Sequence, residues 1–240
     1  MAKEDLEATY ACIKTWDEEE KNDGDGTGKR LFAFFNSGPD SGASQPHRHI
    51  QFLPVEAMME QPIDETGTDG LAWKPLIDLI MESKSQTQTE HRCLDQLPFA
   101  HFALPLPPNP SADTLHAIYL SLYRDAVSIA KAEGASIDGD GAQTSGPTAI
   151  SHNLAMTESA MMICPRRNET AKISVDKNAA GGDGGSIAES GVLALNGTIL
   201  AGTLMVKAEA EWNELRQNPE NLVGVLGTVG YATGLGRASL

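Results

Sequence analysis

One stretch narrows the folds open to this chain more than any other: residues 36–51, Asn-Ser-Gly-Pro-Asp-Ser-Gly-Ala-Ser-Gln-Pro-His-Arg-His-Ile-Gln, set between two apolar runs. The run before it, Leu31-Phe32-Ala33-Phe34-Phe35, has the length and aromatic content of a buried strand, and residues 50–55 read the same way. Strand, loop and strand therefore follow one another. On an extended segment side chains alternate between faces, so His47, His49 and Gln51 are expected on one side and Arg48, Ile50 and Phe52 on the other. Gly38 and Gly42 let the intervening backbone bend, while Ser41, Ser44 and Gln45 add polar side chains to the free N–H groups of the turn. The pattern predicts an anion held beside two imidazoles and an amide.

The rest of the chain mixes helices and strands. Leu6, Tyr10, Ile13 and Trp16 predict an amphipathic helix over residues 4–21, and residues 22–28 a turn. Residues 61–70 read as a polar loop, 73–81 as a short helix with Pro75 near its start, 83–90 as a polar stretch, and 97–106 as a strand ended by prolines. Ser111 is a natural cap for a helix through residue 133, along which Leu115, Ile118, Tyr119, Leu122, Ala126, Ile129 and Ala130 recur at helical spacing. Residues 134–147, rich in Gly, Asp and Ser, mark the expected boundary between a core at 1–146 and a C-terminal piece at 147–240 packing on it. In that piece, residues 149–156 and 160–165 predict a hairpin, 179–189 a glycine-rich loop, and 192–206 an apolar stretch broken by the turn pair Asn196-Gly197. Helices around 208–216 and 222–229 complete it. No regular strand-helix-strand period appears, so the expected class is α+β with a mostly antiparallel sheet flanked by helices.

Composition excludes several function classes. The 18 Lys and Arg against 33 Asp and Glu give a formal charge of -15, and no basic run concentrates the positive residues, so neither nucleic acid nor an anionic membrane is an expected partner. Cys12, Cys93 and Cys164 are odd in number and far apart, which argues against a disulfide framework and for a reducing compartment. The N-terminus has no apolar signal core and no run is long enough to span a membrane, so the expected location is cytoplasmic, with the nucleus also open.

The motif also has a chemistry. Phosphoryl transfer through a covalent intermediate needs a nucleophile that is uncharged near neutral pH, basic enough to attack, and able to leave afterwards; neutral imidazole meets all three conditions. Zinc is the alternative use of these residue types, with His47, His49, His91 and Cys93 as two ligand pairs. Zinc would occupy the ring nitrogen needed for attack, and no Cys-x-x-Cys accompanies the four residues, so no metal ligands are expected. His101, His116 and His152 read as structural or solvent-facing.

Asn36, the run Ser41-Gly42-Ala43-Ser44-Gln45, and His47-x-His49-x-Gln51 resemble the histidine-triad superfamily, in its nucleotidyltransferase branch where glutamine replaces the third histidine. The nearest likeness is to fungal-type ATP adenylyltransferases, also called diadenosine tetraphosphate phosphorylases. Ser151-His152-Asn153-Leu154-Ala155-Met156-Thr157, Met161 to Arg167, and Gly202-Thr203-Leu204-Met205-Val206-Lys207 resemble the C-terminal piece of the same enzymes. The resemblance implies a histidine-triad-like fold and reversible phosphorolysis of diadenosine tetraphosphate to ADP and ATP. It implies His49, the middle of the triad, as the adenylylated nucleophile, with His47 and Gln51 supporting it. It further implies Asn36, Gly42, Ala43, Ser44 and Gln45 as the phosphate cradle, and nucleotide contacts at Asn153, Met161 and Arg166. Read without the resemblance, Arg166 and Arg167 are a solvated strand end. No obligatory cofactor is implied beyond a divalent cation, magnesium, that accompanies the nucleotide. Two alternatives stand beside this reading: hydrolysis of the adenylyl-histidine by water, which Gln51 disfavours, and nucleotide binding without turnover. Such enzymes carry a long segment, with a substrate-contacting lysine, ahead of the position of Asp5, and its absence predicts an unpaired sheet edge beside residues 31–35, an incomplete pocket and self-association.

Overall fold

The apolar run at Leu31 forms a strand that is buried along its whole length, β1 (Leu31–Ser37), and the other elements are arranged on its two faces. The computed structural model describes residues 1–23, 29–45, 47–59, 74–83, 91–137, 148–175 and 191–233. Trp73, the loop at 61–70, the polar stretch at 84–90, most of the boundary at 134–147 and the glycine-rich loop at 179–189 lie outside the described residues, as do residues 24–28 of the predicted turn.

The chain opens with α1 (Lys3–Asp23), passes through β1 and a 3₁₀ turn (Pro39–Ser41), and continues into β2 (Ile50–Pro54), α2 (Val55–Met59) and α3 (Leu76–Glu82). It goes on to β3 (Phe102–Pro105), α4 (Ala112–Ala132), β4 (His152–Met156), β5 (Ala160–Pro165), β6 (Thr170–Lys172) and β7 (Val192–Ala194). A 3₁₀ helix (Gly197–Ala201), α5 (Glu209–Gln217) and α6 (Glu220–Val229) follow. Five strands form one antiparallel sheet in the order β2-β1-β4-β5-β3, and β6 and β7 form a small second sheet. The α+β antiparallel class is the one the sequence predicts.

The strand period of two distributes the core. Leu31, Ala33 and Phe35 of β1, with Leu154, Met156, Met161 and Ile163, pack under α1 and α4 against Leu6, Tyr10, Leu115 and Leu122. Phe32, Phe34, Ala155, Met162 and Cys164 face the other way, onto Ile77, Ile80, Leu193, Leu195, Ile199 and Val229. Because both faces are covered, residues 31–35 of β1, 154–156 of β4 and 160–164 of β5 are apolar and buried without alternation, which is why the period of two is weak in the sequence. α4 starts where its cap predicts, with the Ser111 hydroxyl accepting from the Thr114 N–H at 3.1 Å.

Some expectations are corrected. β1 has no open edge: β2 pairs on one side and β4, from beyond residue 147, pairs on the other. β4 and β5 lie inside the sheet between β1 and β3, so strands from both sides of residue 147 contribute to one sheet. The strand predicted at 97–106 is confined to Phe102–Pro105, because the residues before it place their hydrogen bonds elsewhere. The Ala100 N–H reaches Tyr231 O at 2.7 Å, and the His101 ring accepts from the Leu94 N–H at 2.8 Å. At the turn pair Asn196-Gly197 the Asn196 side chain accepts from the Thr198 N–H at 3.0 Å and starts the 3₁₀ helix. Among the described residues no helix is long and apolar enough to cross a membrane.

His152, on β4, is a structural histidine of an unusual kind. It is fully buried among Tyr123, Tyr119 and Phe35, with ring centroids 5.4, 6.3 and 6.4 Å away, and burial pushes its pKa down to about 4. Its Nδ1 meets Ile150 O at 3.3 Å, while Nε2 has no partner. Below its ordinary pKa of 6.5 the unfolded chain takes a proton that the folded chain refuses, so stability is complete above that pH and declines as pH falls toward 4. A gap of this size corresponds to about 3 kcal/mol. Urea unfolding at pH 7 and pH 4.5 should show a loss in wild type that His152→Phe largely escapes; equal losses in both would place the acid sensitivity elsewhere.

Candidate functional site

The loop between β1 and β2 is shaped by its glycines and fixed from below by a buried polar network. Gly38 and Gly42 have φ of 86° and 75°, in the left-handed region, and both lie where a side chain has no room. A Cβ on Gly38 would stand 2.5 Å from the Ser151 hydroxyl, and one on Gly42 would stand 2.4 Å from Leu195 O. The loop is thus pressed between the start of β4 and the segment entering the 3₁₀ helix. The Ser151 hydroxyl donates to the Asp40 carboxylate at 3.0 Å and accepts from the Asp40 N–H at 3.1 Å, and the Ser41 hydroxyl donates to Gly38 O at 2.6 Å.

Beneath the loop lie Asn36, Asn153 and Arg166. Asn36 and Asn153 are cross-strand partners on β1 and β4. The Asn153 amide donates to Asn36 Oδ1 and to Ser41 O, each at 2.8 Å, and Asn36 Oδ1 also accepts from the Gly197 N–H at 2.8 Å. Arg166 is 1 % exposed and donates to Asn153 Oδ1, to Leu195 O at 2.9 Å, to Asn168 O at 2.8 Å, to Val229 O at 3.3 Å and to Ser41 O at 3.5 Å. Reading Arg166 as a solvated strand end is therefore wrong. A buried guanidinium has to meet acceptors in its own plane, and here backbone carbonyls supply nearly all of them. Asn153, Met161 and Arg166, implied as nucleotide contacts, are all fully buried, and the two polar ones hold the carbonyl of Ser41. Neighbouring Cys164 is equally buried, which raises its thiol to about 12 and keeps it protonated.

A cavity of about 530 Å³ opens above this network, lined by Phe35, Asn36, Ser37, Gly38, Pro39, Ala43, Ser44, Gln45, His47 and Arg48. Its volume falls in the range of small-molecule sites. Of the motif residues, Asn36, Ala43, Ser44, Gln45 and His47 line the cavity, while Gly42 shapes the turn that precedes Ala43. His49 and Gln51 are not among the lining residues. The His49 ring lies 5.4 Å from the His47 ring, centroid to centroid, and its Nδ1 meets His47 O at 3.2 Å. A carbonyl can only accept, so that bond puts a proton on Nδ1, and in the neutral ring the lone pair then lies on Nε2. Gln51 is half-buried on β2, opposite Phe34.

Ser37 and Arg48 are polar lining residues that the sequence does not single out as site residues. Arg48 was expected on the face opposite the histidines, but strand alternation does not reach it: β2 begins only at Ile50, and residues 47–49 are irregular. No three His, Cys, Asp or Glu side chains gather as metal ligands among the described residues. His91 lies at α4 instead, against the Asp125 carboxylate and 3.2 Å from the Ser121 hydroxyl.

Residues 95–232 match the profile of the ATP adenylyltransferase C-terminal domain, and residues 1–66 that of the Ap4A phosphorylase N-terminal domain. Among curated proteins of Saccharomyces cerevisiae, diadenosine 5',5'''-P1,P4-tetraphosphate phosphorylase 2 is 27% identical over 209 residues, covering 82% of this chain and 51% of the yeast protein. Protein APA1 of the same yeast is 24% identical over 230 residues, covering 95% of this chain and 59% of its own length. The chain thus spans between about half and three fifths of these relatives. The crystal structure of yeast Ap4A phosphorylase Apa2 superposes with a TM-score of 0.67 at 23% identity, over 96% of this chain and 65% of that one. Its complex with Ap4A gives the same TM-score at 22% identity, over 97% and 64%. At these identities the structural likeness is one of fold.

Proposed function

Because this chain belongs to the ATP adenylyltransferase family, as the match over residues 95–232 establishes, we propose that it phosphorolyses diadenosine tetraphosphate to ADP and ATP. The observation that carries the reading is the tethered ring of His49, whose Nδ1 donates to His47 O, so that in the neutral imidazole the lone pair lies on Nε2 at the end of the loop. Nε2 attacks the α-phosphorus of one adenylyl group; an N–P bond forms, the bridging P–O bond breaks, and ATP leaves. Inorganic phosphate then attacks the same phosphorus, the N–P bond breaks, and ADP is released. His47 supports the ring, Gln51 donates to a phosphate oxygen, and the loop at Gly42, Ala43, Ser44 and Gln45 offers donors to the charge that develops. Magnesium accompanies the nucleotide as part of the substrate.

Asn153 and Arg166 act in this scheme by holding Ser41 O and thus the loop, with no direct phosphate contact. The proposal is tested by incubating the protein with diadenosine tetraphosphate, with and without phosphate, and separating the products. ADP and ATP in equal amounts, formed only with phosphate present, is the expected result. AMP with ATP would identify water as the acceptor, and unchanged substrate would reduce the cavity to a binding site.

A further inference from the structure

The nucleotide is a polyanion and the chain carries a formal charge of -15, so the cavity wall has to supply compensating charge locally. Among the described lining residues Arg48 is the one with a permanent positive charge. Its guanidinium is held by Asp5, in the first turn of α1, at 2.7 Å, in a pair whose side chains are 66% and 32% exposed. We propose that Arg48 is a phosphate-binding residue of the tetraphosphate site and that Asp5 is its resting partner, displaced when the nucleotide enters; this rests on the nucleotide reading of the cavity.

Relative strengths favour the exchange. An exposed ion pair is worth at most about fivefold in an equilibrium constant, because water and salt screen it. A charge-assisted bond to a phosphate is worth about ten- to a hundredfold, and the planar guanidinium can give two at once. Asp5 is not orphaned when Arg48 leaves. The same carboxylate oxygen accepts from the Ala2 N–H at 3.0 Å, and a negative charge in the first turn is favoured by the helix dipole. Arg48 can move because residues 47–49 belong to no strand ladder, and the side chain is mostly in solvent. Asp5 thus competes with the substrate for one cation, so wild-type affinity is set below what the site could reach.

The test compares wild type with Arg48→Ala, Arg48→Lys and Asp5→Asn by calorimetric titration with diadenosine tetraphosphate, and with adenosine as an uncharged probe. Arg48→Ala should weaken tetraphosphate binding about tenfold or more while leaving adenosine binding and thermal stability within error, and Arg48→Lys should fall between. Asp5→Asn keeps the acceptor for the Ala2 N–H and should bind the tetraphosphate about two- to fivefold more tightly, with the gain fading at high salt. Wild type that binds and turns over the tetraphosphate beside an Arg48→Ala variant of equal affinity would overturn the assignment of Arg48 alone. Weaker binding by Asp5→Asn would overturn the competition. Wild type that binds no tetraphosphate would remove the nucleotide reading and this inference with it.

Discussion

Replacing His49 with alanine is expected to lower nucleotidyl transfer by about 10⁴-fold or more, the scale seen when a covalent nucleophile is removed. The ring is oriented for attack by its own backbone: the bond from Nδ1 to His47 O fixes the tautomer of the neutral imidazole without a carboxylate and points Nε2 away from that carbonyl. Intact-protein mass spectrometry after an alkaline quench, which spares the acid-labile N–P bond, should find one added AMP in wild type and none in the variant. His47 stands close enough to be the rival, since it lines the cavity and its ring is 5.4 Å from that of His49. An adduct that persists in His49→Ala and disappears in His47→Ala would transfer the nucleophile's role to His47. In that event Gln51 would also lose its place in the scheme.

Arg166→Leu should destabilise the fold by about 3 to 5 kcal/mol, because removing one partner of a buried charged network leaves the others unsatisfied. The carbonyls of Ser41, Asn168, Leu195 and Val229 and the Asn153 side chain would all lose a donor in one step. Such a loss is a large share of the roughly 5 to 15 kcal/mol that a domain possesses. Arg166→Lys should recover little of it, since an ammonium cannot reach acceptors spread around a planar fork. Urea unfolding measures both, and a loss below about 1 kcal/mol in Arg166→Leu would mean that water replaces the guanidinium at little cost. Because Asn153, which holds Ser41 O, would lose the guanidinium that anchors its own Oδ1, nucleotide affinity should fall even under conditions where the variant stays folded.

Much of the architecture was legible in local pattern. The aromatic run of β1, the Ser111 cap and apolar stripe of α4, and the short turn between β4 and β5 each express a preference that spans only a few neighbouring residues. The two loop glycines were equally readable, because φ of 86° and 75° demand residues without a Cβ. A glycine-shaped loop between two strands, with histidines at its exit, follows from these alone.

Other features were decided only when distant segments met. The partner of β1 on its second side is β4, some 120 residues later in the sequence on the order set by the Asn36 and Asn153 pairing, and no local signal names it. Arg166 reads as a solvated strand end because an arginine's burial depends on where acceptors arrive, and here they come from the loop after β1, Leu195 and Val229. Arg48 was misplaced for a related reason. Its direction depends on where the ladder with β1 begins, at Ile50, and on Asp5 waiting on α1. The sequence by itself determined which residues could carry the chemistry, since residue type and backbone preference are local properties. Only the tertiary structure decided which of them reach the cavity and which support it, because burial and charge pairing are settled by groups far apart in the chain, as when Asn36 meets the N–H of Gly197 across 161 positions.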